Sequence, residues 1–79
     1  MEISKRLFYW RQDYFEYHGK HPKQYNVLLH PEDLRRLRSE TDVFKVFLDN
    51  PGEPRRYAAF RIYESIDQKE GEIKCFVDV

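Results

Sequence analysis

Three histidines and one cysteine are among the side chains in this sequence whose chemistry could hold a metal or carry catalysis. His18 and His21 stand in "HGKH", and His30 lies apart, between a strand-like run and a proline. Zinc needs a compact ligand set, usually with Cys or a second close pair, and "HGKH" supplies one pair beside a glycine and a proline. Cys75 alternates with Ile73 and Val77, so it falls on the inward face of a strand, where a thiol behaves as a small inert apolar group. Asp13 and Glu16 lie near His18 at spacings that are commonplace on helices. No Ser-His-Asp set, glycine-rich phosphate loop or zincin motif is present. The expectation is a protein that is not an enzyme, with no catalytic residue, no metal and no cofactor.

A second chemistry is carried by aromatic rings interleaved with cations: Lys45, Phe47, Tyr57, Arg61, Tyr63, Lys74 and Phe76. Such a set can stack on unpaired bases while its cations meet phosphates. It can anchor a protein partner, since Tyr, Phe and Arg are enriched at interfaces. It can also pave an ordinary solvated face with cross-strand pairs and apolar stems. Which of these applies depends on the elements that position the side chains.

Ile3, Leu7, Trp10, Tyr14 and Tyr17 recur at steps of four, three, four and three, which draws one stripe along a helix. Gly19 and Pro22 end it near His18. Phe8 and Phe15 lie about 120–140° from Ile3 at 100° per residue, on a flank of their own, and form a second aromatic patch. "QYNVLLH", 24–30, reads as a strand between prolines, and whether it joins the sheet is open. "PEDLRRLRSE" reads as a short helix, with Pro31 at its first position, Glu32 and Asp33 in its first turn, and Leu34 and Leu37 inward. Its Arg35, Arg36 and Arg38 suggest a recognition helix, but a helix-turn-helix needs two adjoining helices and a strand separates these. "DVFKVFLD" (42–49), "YAAFRIYE" (57–64) and "EIKCFVDV" (72–79) follow as strands of an antiparallel meander.

The expected fold is therefore α+β in the order α-β-α-β-β-β: a three- to four-stranded, mostly antiparallel sheet with two helices on one face, one domain over 1–79. In the matching register Phe44, Val46, Leu48, Ala58, Phe60, Ile62, Ile73, Cys75, Val77 and Val79 face the helices. Val43, Lys45, Phe47, Tyr57, Ala59, Arg61, Tyr63, Lys74, Phe76 and Asp78 then share the opposite face, which two short helices cannot also cover.

The totals set the outer limits. The chain has 79 residues, 14 of them basic and 14 acidic. Neutrality removes the simplest electrostatic case for nucleic acid or an anionic membrane. Residues 1–40 carry eight basic against six acidic side chains and residues 41–79 the reverse, an asymmetry too small to imply a partner. A single cysteine points to a reducing cytoplasm, and charges interrupt every apolar run, so no membrane span or signal segment is expected.

The helix ending at Gly19 and Pro22, the strand 24–30, the "PEDLRRL" helix with Pro31 and Glu32, and the closing Gly71, Ile73, Val77 and Asp78 resemble a pattern in small proteins encoded by phages and prophages of Gram-positive bacteria. The resemblance spans nearly the whole chain except "DNPGEPRRYAAF". It implies an accessory protein of a phage or mobile element and implies no activity, so no functional residue is carried over. The function expected is a protein-interaction module that binds a protein partner or itself as a homodimer. Its contact residues are Phe47, Tyr57, Arg61, Tyr63, Phe76, Lys45 and Lys74, with Phe8 and Phe15 as the second patch. The alternative is single-stranded nucleic-acid binding by the same face, although the chain lacks the octapeptide of RNA-recognition sheets.

Overall fold

A computed structural model describes residues 2–40, 47–48, 51–52 and 55–79. It contains α1 (Ile3–His18), β1 (Gln24–Leu29), α2 (Pro31–Ser39), β2 (Phe47–Leu48), β3 (Arg56–Tyr57), β4 (Phe60–Glu64) and β5 (Lys74–Asp78). The protein is α+β, with two helices against one face of a mixed sheet in the order β2-β3-β4-β1-β5.

Helix α1 stops where the sequence places the stop. Gly19 sits at φ +72°, and its N–H donates to the Phe15 carbonyl at 2.8 Å. Only a residue without Cβ adopts that conformation without strain. The N-terminus has no local cap, because Glu2 makes no capping hydrogen bond. The Glu40 carboxylate, just past α2, accepts from the Ser4 and Ile3 N–H groups at 2.8 and 3.1 Å instead. A negative group there satisfies two orphan donors and complements the helix dipole, and it ties the start of α1 to the end of α2.

In α2, Pro31 occupies the first turn, and His30 caps it by accepting the Glu32 N–H on Nδ1 at 3.0 Å. Leu34 and Leu37 are buried, as their spacing predicts. Asp33 is buried as well, and its carboxylate accepts the Gly71 N–H at 2.8 Å and an Arg36 N–H at 3.1 Å. Gly71, at φ +87°, turns the chain into β5, so one carboxylate locks α2 to the start of the last strand.

The core gathers Ile3 and Leu7 of α1, Leu34 and Leu37 of α2, Tyr25, Val27 and Leu29 of β1, and Phe60 and Ile62 of β4. Trp10 and Tyr14 seal its end, with ring centroids 6.3 and 5.8 Å from Tyr25. Tyr17, the last member of the expected stripe, is 86% exposed. The cause is length: sixteen helical residues run about 24 Å, whereas a five-residue strand runs about 17 Å. The last turn of α1 overhangs the sheet.

Two strand expectations are overturned. The late runs do not form a meander, because β1 enters between β4 and β5, parallel to β4 and antiparallel to β5. Central strands with helices on one side bury most, and Val27 and Leu29 are fully buried. The parallel pairing needs a long crossover, which α2 and the segment after it provide. In addition, "YAAFRIYE" is not one strand. The chain reverses at Ala58 and Ala59, so that Tyr57 pairs with Phe60 and Arg56 with Arg61. Ala58 takes φ +51°, the only described non-glycine residue at positive φ. That geometry at the first of two loop residues suits a tight hairpin and favours glycine there.

Candidate interaction surface

The hairpin at Ala58 redistributes the expected site. Directly paired residues share a face. Tyr57, opposite Phe60, therefore lies on the helix side and packs against the core. Its assignment to the helix-free face is wrong, because that assignment assumed an unbroken strand through Ala58. Phe47 stands opposite Tyr57 in backbone register. Lys45 lies outside the described residues, as do Phe44 and Val46 of the expected inner face. Val79, also expected inside, is 86% exposed.

Four expected residues share the helix-free face. Across β4, β1 and β5, Arg61, Asn26 and Phe76 stand in one register row and Tyr63, Leu28 and Lys74 in the next. Tyr63 and Phe76 are 40% and 39% exposed, and their rings are stacked at 6.0 Å and 28°. Their strands are not neighbours: β1 separates them, and strands lie about 4.8 Å apart. The rings must therefore lean toward each other over β1. This roof explains why Asn26, on the face without helices, is only 1% exposed. Part of the second face is thus covered by its own aromatic pair.

Polar groups surround the roof. Asn26 Nδ2 donates to Asp78 Oδ1 at 3.3 Å. Gln24 Nε2 donates to the Ala59 carbonyl at 2.9 Å, and Arg56 Nη1 donates to Gln24 Oε1 at 3.2 Å. Arg56 and Arg61 stand directly opposite each other on this face. Like charges in that arrangement repel, and neither forms an ion pair with a described acidic side chain. Asn26 Oδ1 and Arg61 Nε, an acceptor and a donor in the same row, are buried without a hydrogen-bond partner among the described residues. Sequence reading missed Asn26, Gln24 and Arg56. Asn26 and Gln24 occupy alternate positions of β1, and that signal has meaning only once β1 is known to be central.

The second expected patch forms on the outer flank of α1. Phe8 and Phe15 are 57% and 42% exposed and line one side of a shallow concavity of about 180 Å³ with Arg11, Gln12 and His21. The Phe15 ring lies 4.5 Å from the His21 ring. A smaller hollow of about 90 Å³ continues from Phe8 and Arg11 to Tyr57 and Ala58. Tyr57 therefore belongs beside this patch. Burial raises the Tyr57 phenol above its ordinary pKa, with a further rise from Glu40.

Each of the three histidines has a neighbour within the fold. The His18 ring lies 4.1 Å from the Tyr14 ring at a tilt of 33°, His21 Nδ1 lies 2.8 Å from the Tyr25 hydroxyl, and His30 caps α2. Burial raises the Tyr25 phenol, an effect partly offset by the Arg11 guanidinium 5.8 Å above its ring. Cys75 is a free thiol pushed up to about 11 by burial. Among the described residues no three His, Cys, Asp or Glu side chains converge as metal ligands, and no helix is long and apolar enough to cross a membrane.

Fold and surface define an α+β protein with one helix-free, aromatic and cationic sheet face. The chain matches no protein-family model, and comparison with curated proteins and with solved structures gives no significant match.

Proposed function

We propose that this protein is a binding module and not an enzyme, and that it binds a protein partner, including a second copy of itself, through the helix-free face. The observation that carries this reading is the half-exposed Tyr63–Phe76 stack on a face that neither α1 nor α2 covers, bordered by Arg61, Arg56 and Lys74. Aromatic and Arg anchors dominate protein interfaces. A reducing cytoplasm suits the single unpaired Cys75. The resemblance to small phage and prophage proteins supports an accessory role in a phage or mobile element. The test is solution mass by light scattering coupled to size exclusion, at several protein concentrations and at low and high salt. A salt-resistant assembly, alone or with a partner, supports the reading.

The second reading is single-strand nucleic-acid binding by the same face, favoured by Arg56 and Arg61 standing opposite each other without an acidic partner among the described residues. Neutralising three phosphates would give a slope of log affinity against log salt of about −2 for a single strand. A monomer that binds single-stranded DNA or RNA with that slope replaces the first reading with the second.

A further inference from the structure

β5 is the last strand of the sheet, and among the described residues no strand pairs with its outer side. A free edge presents unpaired N–H and C=O groups, and monomeric proteins blunt such edges with proline, a bulge or a charge. β5 has no proline, and it pairs with β1 residue for residue from Lys74 to Asp78 without a bulge. It carries charges of opposite sign at its two ends. Lys74 and Asp78 lie two positions either side of Phe76 and share its helix-free face. Lys74 forms no ion pair with a described residue.

We propose that the occupant of this edge is a second copy of the chain, paired β5 to β5 in antiparallel about a two-fold axis at Phe76. This deepens the protein-interaction reading above and rests on it. Opposed residues of an antiparallel pair share a face, and faces alternate along a strand. The axis must therefore pass through a residue, and Cys75, Phe76 and Val77 are the central choices. Centred on Cys75, Glu72 meets the second copy's Asp78, a like-charge pair. Centred on Val77, Asp78 meets the ring of Phe76. Centred on Phe76, Lys74 meets the second copy's Asp78 twice, and Cys75 meets Val77 twice on the helix side, where both are half-buried against the core. The register that satisfies the charges also continues the apolar layer. One side of the Phe76 ring is covered by Tyr63 on the far side of β1. Its exposed side is left toward the edge, where the two-fold brings its copy.

The experiment measures mass by light scattering for the wild-type chain, Lys74→Glu, Asp78→Lys, the double variant, and an equimolar mixture of the two single variants, with circular dichroism to confirm folding. The wild type is expected to dimerise. Each single variant places like charges across both ends of the seam and raises the dissociation constant about tenfold or more. The double variant restores the dimer. The mixture restores it too, because Lys74→Glu makes one edge acidic at both positions and Asp78→Lys makes the other basic at both.

Asp78 also accepts a hydrogen bond from Asn26. Should Asp78→Lys fail to fold, Phe76→Cys in a Cys75→Ala background decides the matter. Opposed antiparallel residues have Cα atoms about 4.5–5.5 Å apart, within disulfide reach, so oxidation gives a covalent dimer. A dimer indifferent to the charge variants, or one that fails to cross-link at position 76, overturns the β5 seam and leaves protein binding standing through another surface. A wild-type chain that stays monomeric at every concentration overturns self-pairing outright.

Discussion

Replacing Asp33 with Asn removes one negative charge and almost no volume from a site that is 1% exposed. The native carboxylate accepts two hydrogen bonds, from the Gly71 N–H at 2.8 Å and from Arg36 at 3.1 Å. An amide can keep one of these and turns donors toward the other. Hydrogen bonds to charged groups contribute about 1.5–3 kcal/mol, and loss of a charge from the first turn of α2 adds about 0.3–1 kcal/mol. The Arg36 pairing adds little, because the Arg36 side chain is 59% exposed and is also held by Glu70. The expected loss is therefore about 2–3 kcal/mol, a large part of the stability of a small domain. Urea unfolding followed by circular dichroism measures it. With a slope of about 1 kcal/mol per molar for a chain of this size, the midpoint falls by about 2 M with the slope unchanged. Arg36→Met alone should cost less than about 1 kcal/mol. A loss below about 0.5 kcal/mol for Asp33→Asn would refute the reasoning, since the negative charge on Asp33 could not then be what fastens the start of β5 to α2.

The left-handed conformation costs an ordinary L-residue about 1–2 kcal/mol, and glycine gives back about 0.4–1 kcal/mol in unfolded-state entropy. Ala58→Gly should therefore raise stability by about 0.5 kcal/mol in the same urea assay, and a loss of stability would contradict the tight turn at Ala58. Cys75 makes an alkaline prediction. Its folded pKa is raised by burial to about 11 from 9.0. Its contribution is complete below pH 9 and is lost as pH rises toward 11, because the unfolded thiol ionises first. The raised Tyr25 and Tyr57 phenols act in the same sense above pH 10. Unfolding midpoints should fall between pH 9 and 11, less steeply in Cys75→Ala, and alkylation of the folded thiol at pH 8 should be slower than in urea.

How much of the candidate surface was legible follows from which signals are local. Gly19, Pro31, Leu34 and Leu37 act within a turn or two of their own positions, and both helices end as their spacing predicts, with Tyr17 the one member of the α1 stripe left in solvent. Arg61, Tyr63, Lys74 and Phe76 keep their phase because β4 and β5 are regular over those residues. Tyr57 changed sides because one alanine takes a backbone angle that composition does not advertise. Asn26, buried beneath two rings from strands on either side, could not be read from its neighbours in the chain. Nor could Glu40 as the cap of α1, since the two groups are 36 positions apart in the chain.

The sequence by itself determined the α+β class, the order of elements, the ends of both helices and the alternation that divides β4 and β5 into an apolar and an aromatic-cationic face, because each of these depends on residues within a few positions of one another. Tertiary structure alone decided that β1 lies between β4 and β5, that the chain folds back at Ala58, and that Tyr63 and Phe76 meet over a strand to which neither belongs. Those outcomes rest on which strands come together in space, and pairing energy is gained only when distant segments meet.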